Sequence, residues 1–441
     1  MDTDKARNHA LAIYKEAVEA ANPKKCVQDY LRLEDEVLSV DTRAYNLKEF
    51  NSIYTIAFGK AAAAMAEGVE EVLGERLTGG MVISNTSPEK KFNKLGFHLC
   101  GHPVPDERSV IAANDVMSIL ETTGEKDLVI FLISGGGSAI LSMPAPGLTL
   151  DDTRKATEAL LRSGVDKNGL NAVRKHISQI KGGGLLKKAL PASVVTLILS
   201  NVVSDKVDAI ASGPTVPDST TYEDAWRVVE ALKIEHQLPP QVVVHLEDGR
   251  NGELAETLKE GEFDPEMVQT LIVGSNIKSL MAAQKKAAEY GYNTLMLSSQ
   301  ISGEAKEVAK VVAGIAFDVE RSDMPVKKPS CIIFGGETTV TVHSMGKGGR
   351  STETALSFCM EIMGHNVVGL FCDTDGVDGP IDAAGAICDG QSRLNARKIN
   401  VSAREHLAQN NSYDFFDKLE DLIITGPTGT NVMDIGIVIV E

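Results

Sequence analysis

LVIFLISGGGSAIL, residues 128–141, decides how the chain is to be folded. Its first six residues, Leu128–Ile133, are apolar, rich in β-branched and large side chains, and too few for a helix of ordinary length. They predict a strand buried on both faces. Ser134, three glycines and Ser138 follow, and then a short apolar run that Pro144 stops as a helix. Glycine reaches positive φ and lets backbone N–H groups come close to a ligand, so strand, glycine turn and helix start together predict an anion site. Taken by itself, the same turn could serve only for close packing. Its surroundings decide.

Working outward, strand and helix alternate. Apolar positions from Ala10 to Ala21 mark a helix that Asn22-Pro23 ends, so that two helices precede the first strand, Ser52–Phe58. Gly59, Lys60 and an alanine-rich helix from Ala61 come directly after that strand, and Met81–Ser84 is the next strand. Helices are predicted around Ser109–Glu121, Asp151–Ser163 and Asn171–Ile180, with a strand at Val194–Leu199. A second alternation runs through strand Thr270–Val273, helix Asn276–Tyr290, strand Thr294–Leu297 and helix Gly303–Phe317. Strand Cys331–Phe334 follows, with a hairpin return through Thr338–Ser344. The chain as a whole thus predicts an α/β fold, and the alternation up to Leu199 a mainly parallel sheet with helices on both faces, whose ligands collect at the carboxyl ends of strands. The acidic, aperiodic stretch Ile234–Met267, with Pro239-Pro240, reads as the domain boundary and as the hinge about which the domains close over substrate.

A chain of 441 residues with 43% hydrophobic content has enough apolar side chain for two cores. Its formal charge of −17 argues against nucleic acid or an anionic membrane as the main partner. The longest apolar runs are strand-sized, which excludes a transmembrane helix. The six cysteines carry no CxxC pair and no zinc spacing, so they predict buried free thiols in a reducing compartment. An acidic N-terminus without an apolar core is not a signal peptide, and a cytoplasmic location is the expectation.

The remaining signals are turns rich in glycine and charge. FGK (Phe58–Lys60), SGGGS (Ser134–Ser138), NVVSD (Asn201–Asp205) with SGPT (Ser212–Thr215), GGET (Gly335–Thr338), GKGGRSTE (Gly346–Glu353), DTDGVDGPIDAAGA (Asp373–Ala386) and TGPTGTN (Thr425–Asn431) follow strands. Repeated at strand ends, they predict a phosphate-bearing ligand between two domains. None has the Walker A spacing, and Ile140 stands where G-x-G-x-x-G needs its third glycine, which disfavours a P-loop enzyme and a nicotinamide dehydrogenase. Lys60, directly after a buried strand, is well placed to donate to phosphate; its alternative is a solvated lysine at a helix start. Arg350 can give a two-pronged contact to carboxylate or phosphoryl oxygen, with Lys347 beside it as helper or surface lysine. Asp373, Asp375, Asp378 and Asp382 concentrate negative charge that magnesium carried in with a nucleotide would neutralise; the alternative is an acidic loop of Asx-turns. His102 and His176 are candidate bases or phosphate ligands, with capping or core roles the better reading of each.

GHPVPDE, LISGGGSAIL, NAVRKHISQIKGGGL, LILSNVVSD with IASGPTVPD, GGETTVTVHSMGKGGR, TDGVDGPIDAAGA and TGPTGTNVMD, in this order from about Phe58 onward, closely resemble the class II glycerate kinases, whose C-terminal part is the MOFRL domain. The resemblance implies a Rossmann-like parallel-sheet domain (residues 46–238) facing a second α/β domain (residues 1–45 and 239–441), with the active site in the cleft. It implies transfer of the ATP γ-phosphoryl group to the 2-hydroxyl of D-glycerate, giving 2-phosphoglycerate, with Mg2+ as divalent metal. The family's catalytic lysine and arginine match Lys60 and Arg350. Ser134, Gly135, Gly136, Gly137, Ser138, Gly213 and Thr215 are then the expected ATP contacts, and Asp205, Asp375 and Asp378 the expected metal carboxylates. D-glycerate is the expected partner, with neither nucleic acid nor membrane, and a homo-oligomer is compatible with the family. This chain departs from the usual SDVVGD, GGRNQE and DGPTDAAGA at Asn201, Ser204, Ser351, Thr352 and Ile381. Those departures motivate an alternative, a catalytically silent protein of the same fold that binds glycerate or nucleotide. A third reading, a hydroxypyruvate or hydroxy-acid reductase, lacks its nicotinamide fingerprint.

Overall fold

Asp127–Ile133 is a strand with all seven side chains buried, as a parallel strand covered on both faces must be. In the computed structural model, which describes residues 2–441, it stands near the middle of the first of two units, Pro23–Val273. That unit starts with helix Pro23–Tyr30 and a small antiparallel sheet of β1 (Leu31–Glu34), β2 (Val37–Val40) and β3 (Arg43–Asn46). Its main sheet consists of β4 (Ser52–Phe58), β5 (Gly79–Ser84), β6 (Leu95–Leu99), β7 (Asp127–Ile133), β8 (Ser193–Leu199) and β9 (Val268–Gly274). Their spatial order is β6-β5-β4-β7-β8-β9, and the pairs β4–β5, β5–β6, β4–β7 and β7–β8 are parallel. The chain builds outward from β4 to β6, crosses back to β7, and builds the other way, which is the strand order of a Rossmann sheet. The reversal falls between β4 and β7, so their carboxyl ends open side by side.

The core beneath this edge joins Ile56, Phe58, Val129, Phe131 and Ile133 to Ala112 and Val116 of helix Glu107–Leu120 and to Leu185 of helix Gly184–Ala189. The stretch expected to be a boundary, Ile234–Met267, is part of the unit. Pro240–Arg250 is a helix whose Val242 and Leu246 pack with Trp226, and Leu258 and Phe263 reach the sheet core. The unit thus extends beyond 46–238 at both ends, because β1–β3 and helix Pro23–Tyr30 also pack within it. Two helices do not run directly into Ser52–Phe58: β1–β3 intervene. Helix Lys167–His176 ends before Ile180, where Ser178 instead bridges to Pro144.

The second unit joins the segment up to Asn22 to Gly274–Glu441. Its sheet holds β10 (Asn293–Met296), β11 (Ile301–Glu304), β12 (Ser330–Thr339), β13 (Val367–Asp373), β14 (Gly385–Asp389), β15 (Leu422–Ile423) and β16 (Asp434–Val440). The order is β10-β12-β16-β13-β14-β15, with β11 alongside β12. β10 and β11 run parallel to β12, but β16 runs antiparallel to both β12 and β13. The parallel sheet expected from the first alternation is that of the first unit, and this second sheet is mixed. No hairpin returns through Thr338–Ser344: β12 continues to Thr339 and takes β16 as partner, while Val342 is 69% exposed with no core to fold onto. Helix Thr3–Glu19, capped by Asp2, lays Ala6, Ala10, Ile13 and Tyr14 against Leu280, Leu370 and Ile437. All six cysteines are buried and none forms a disulfide among the described residues, where no helix is long and apolar enough to cross a membrane.

Candidate active site

At the strand-order reversal, β4 delivers Gly59 and Lys60 and β7 delivers the glycine turn. Gly59 has φ +125°, and a Cβ there would overlap Ser134, so only glycine allows the two turns to touch. Ser134 is 1% exposed and accepts a hydrogen bond from the Ala61 amide at 3.0 Å, while the Lys60 amide donates to the Gly135 carbonyl at 2.9 Å. Ser134 therefore pins the turn from inside rather than facing a ligand. Gly137 does the same, packed beside Phe58 and Ala211 and donating to the Ser134 carbonyl. The Gly135 and Gly136 amides are left without an acceptor among the described residues. Gly136, at φ +82°, faces the His102 ring and the Lys60 stem, which a Cβ would meet at 3.0 and 3.2 Å. Lys60 is exposed. Burial, and then the Lys60 charge, hold the His102 imidazole below its ordinary value, so it is neutral near pH 7.

A cavity of about 620 Å³ opens beside the turn, lined in part by Ser138, Met143, Arg154, Arg174, Ser178 and Lys181. Lys181 is 7% exposed and its Nζ donates to the Ser138 carbonyl at 2.9 Å. Burial and the neighbouring Arg174 push this ammonium well below its usual range. Arg174 has no carboxylate or other hydrogen-bonding partner among the described residues, and burial alone lowers it. Arg154 donates through Nε to the Pro105 carbonyl at 2.7 Å. Asp151 and Glu158 also line the cavity, but each is paired at 2.6 Å, with Lys155 and Arg162 respectively. Arg174 and Lys181, neither of them paired with a carboxylate, thus face one space.

The loop after β8 lies against the same turn. Asn201 fills the space in front of Gly135, and Ser212 bonds Ser138 at 2.8 Å and Asn171 at 3.0 Å. Ser204, Asp205, Ala211 and Ser212 all have positive φ, a concentration of backbone strain typical of functional loops. Gly213 and Thr215, expected to touch ATP, instead serve the loop's own packing: the Gly213 carbonyl accepts from the Gly183 amide, and Thr215 is 1% exposed.

In the other unit Arg350 opens helix Arg350–Glu361 and is ringed by acids. Nη2 donates to Asp373 at 2.7 Å, Nη1 to Glu337 at 3.2 Å, and Nε to Asp434 Oδ1 at 2.9 Å. Asp434 Oδ2 lies 2.8 Å from the same Nε but out of line with its N–H, and is buried without a hydrogen bond. It shares a cavity of about 20 Å³, room for one water, with Ser351, whose hydroxyl is also unpaired. Burial and Asp373 push Asp434 well above the usual carboxylate range, as expected where three carboxylates share one guanidinium.

Asp378 does not fit a metal. It is fully buried, and its oxygens accept from the Ser351 and Thr352 amides at 2.9 and 2.7 Å and from the Thr352 hydroxyl at 2.8 Å, capping the helix that carries Arg350. Asp375 receives the Val377 amide and the Asn431 amide side chain, and Asp205 is half-exposed. No three His, Cys, Asp or Glu side chains among the described residues group as a metal site. A magnesium ion held chiefly by nucleotide phosphates and water needs only one or two carboxylates, which Asp205 or Asp375 could supply. His176, bonded to the Ala172 carbonyl and to Glu256, is structural. Sequence reasoning passed over Arg174 and Lys181. Their signal was a segment, Lys167–Lys181, with five basic residues, counting His176, and no acid to balance them.

Over residues 9–247 the chain matches a domain of unknown function, DUF4147, and over residues 330–434 the MOFRL family. A glycerate 2-kinase of Pyrococcus horikoshii is 39% identical over 435 residues, 98% of this chain and 97% of its own. A protein of Agrobacterium vitis, described provisionally as a hydroxypyruvate reductase, is 39% identical over 388 residues, 87% of this chain and 86% of its own. A crystal structure of glycerate kinase from Thermotoga maritima aligns with a TM-score of 0.89 at 36% identity, covering 99% of this chain and all of that one.

Proposed function

Because this chain belongs to the class II glycerate kinases, we propose that it transfers the γ-phosphoryl group of ATP to the 2-hydroxyl of D-glycerate, giving 2-phosphoglycerate. The observation that carries this reading is Lys60 standing beside two glycine amides without acceptors at the strand-order reversal. Phosphoryl transfer asks for positioning and charge rather than covalent help from the protein. The Gly135 and Gly136 amides donate to phosphate oxygens, and Lys60 neutralises charge that develops on the group in flight. Neutral His102 takes the proton from the acceptor hydroxyl. Arg350 offers Nη1 to an anionic substrate, since its 3.2 Å contact with Glu337 is the longest of the three it makes. Asp205 or Asp375 would hold Mg2+ carried in with the nucleotide, which would supply shielding of the phosphate charge.

A coupled assay with D-glycerate, ATP and magnesium tests the reading, with the phosphorylated position read by phosphorus NMR. Turnover to 2-phosphoglycerate is expected; a 3-phosphoglycerate product would overturn the regiochemistry, and no turnover the activity. The name carried by the Agrobacterium relative is tested by NADH oxidation with hydroxypyruvate in the absence of ATP, for which no reaction is expected.

A further inference from the structure

Three strands of the second unit bring acids to one edge of their sheet. Glu337 lies on β12, Asp373 ends β13 and Asp434 starts β16, and the register sets Asp434 opposite both Gly336 and Asp373. Carboxylates face to face on neighbouring strands repel, and Arg350 is the cation shared between them. A cluster kept for stability alone would do as well with uncharged side chains of similar shape. What the acids add is orientation. A guanidinium carries five N–H donors in one plane. Asp434 takes the donor on Nε, Asp373 one on Nη2 and Glu337 one on Nη1, which leaves one N–H on each terminal nitrogen. The Arg350 side chain is 25% exposed, so a ligand can reach that spare pair. Asp434 is itself fixed on both sides: Asn276 Nδ2 donates to the Val432 and Asp434 carbonyls at 2.8 and 3.0 Å, and the Thr374 hydroxyl donates to the Met433 carbonyl at 2.7 Å. Its Oδ2 and the hydroxyl of Ser351, a residue 2% exposed, both lack a hydrogen bond and share the cavity of about 20 Å³. A space of that size between two polar groups holds one water.

Resting on the reading of Arg350 as a substrate contact, we propose that Asp434 is its positioning residue: Oδ1 fixes the guanidinium plane, and a water shared between Oδ2 and Ser351 keeps the carboxyl from turning. The spare N–H pair is thereby oriented before an anion arrives, and a donor that needs no reorganisation is the kind that stabilises developing charge. Burial and Asp373 favour the neutral form of the Asp434 carboxyl. Asparagine, which keeps Oδ1 as an acceptor, is therefore its nearest mimic.

Two substitutions separate position from charge. Asp434→Glu keeps the carboxyl and moves it by one methylene, whereas Asp434→Asn keeps the acceptor in place and removes the charge. Both are compared in the full-length protein with wild type, Ser351→Ala, Arg350→Lys and the Asp434→Glu/Arg350→Lys double variant. Kinetics with D-glycerate and magnesium ATP are read alongside NMR of protein labelled with 15N-arginine, in which the Nε–H signal of Arg350 is assigned by its absence from Arg350→Lys. Asp434→Glu is expected to lower kcat/KM for D-glycerate by about tenfold to 10²-fold and to speed exchange of that Nε–H with water. Asp434→Asn should recover most of both losses, and Ser351→Ala should move both in the same direction by less. The double variant should be little worse than Arg350→Lys, since two residues acting through one contact do not add. Unchanged exchange and kinetics in Asp434→Glu, a larger loss in Asp434→Asn than in Asp434→Glu, or losses that multiply in the double variant would overturn the proposal. Wild-type behaviour of Ser351→Ala would overturn its water-held half. Asp434→Asn and Ser351→Ala add no bulk, so these arms stand even if Asp434→Glu fails to fold. The exchange measurement needs no turnover: an Nε–H held by Asp434 in a protein that does not phosphorylate D-glycerate would sink the kinase reading and leave the positioning of Arg350 standing.

Discussion

Arg174 and Arg350 are the same residue type used in opposite ways. Arg350 meets three carboxylates, and its helix is capped by a fourth, Asp378. Arg174 has no ionic partner in the described structure and shares its pocket with the buried Lys181. A guanidinium already ringed by acids is part of the fold first and can serve a ligand only with whatever donor it can spare. A buried guanidinium without an acid is unfavourable until a ligand arrives. The two regions therefore differ in what a substitution should disturb, stability in one and ligand affinity or rate in the other.

Lys60 sharpens the contrast most. It is exposed and its side chain makes no hydrogen bond or ion pair among the described residues, so Lys60→Met should leave the thermal midpoint unchanged. It should lower kcat by about 10²- to 10³-fold, the scale of losing one donor to transition-state charge. A lysine of the solvated surface would leave kcat unchanged as well. Arg350→Met tests the other side. It strands Glu337, Asp373 and Asp434 together, and removing one partner of a half-buried ionic cluster should cost about 3 kcal/mol, read by urea unfolding. The pH trend has a definite sign. The folded-state pKa of Asp434 is raised, so its contribution is fully present below the unfolded value of 3.8 and is lost as pH rises through the folded one. The variant should therefore regain stability towards acid. An unaltered urea midpoint would return Arg350 to a purely substrate-facing role.

His102→Asn probes whether the neutral ring beside Gly136 moves a proton. Wild-type kcat should fall as pH drops through a value below 6.5, the ordinary imidazole pKa, because the ring must be unprotonated to accept. The variant should be about 10²-fold slower and lack that limb; an identical pH profile would make His102 a packing residue. The smallest effect concerns Ser204, which holds φ +72° where the family pattern has glycine. Ser204→Gly should stabilise the loop after β8 by about 1 kcal/mol at most, the strain relieved being partly offset by chain entropy. A loss of stability would mean that the serine side chain makes a contact that outweighs its backbone.

How much of this was legible in the sequence depends on whether a residue's role is local. β7 was readable because a run of buried apolar residues before three glycines has few alternatives. Lys60 was readable from the rule that ligands gather at strand ends, and the structure sets it at the strand-order reversal. β6 was missed because it is an edge strand with only Leu95 buried, and β1–β3 because four-residue strands are too short for an alternation to count. Residues 251–267 look like a linker in composition, and only the burial of Leu258 against the sheet reveals them as part of the first unit. Arg174 was hidden for a deeper reason. An arginine on a helix reads as a solvated face, and the lack of any acid near it exists only once the chain is folded. Asp378 erred the other way: an aspartate in an acidic turn looks like a metal ligand until two backbone amides are found on it.

The placing of β16 between β12 and β13 bears on how the chain emerges from the ribosome. β12 and β13 are never neighbours, and each keeps an open edge until a strand translated long after both slides between them. Helix Thr3–Glu19 waits longer still. It precedes every strand in sequence, yet the surface for Ala10, Ile13 and Tyr14 is completed by Ile435 and Ile437 of β16. The intervening Rossmann-like unit has all its strands and can close during that wait. Until β16 is made, the apolar face of that helix therefore lacks part of the surface it packs against.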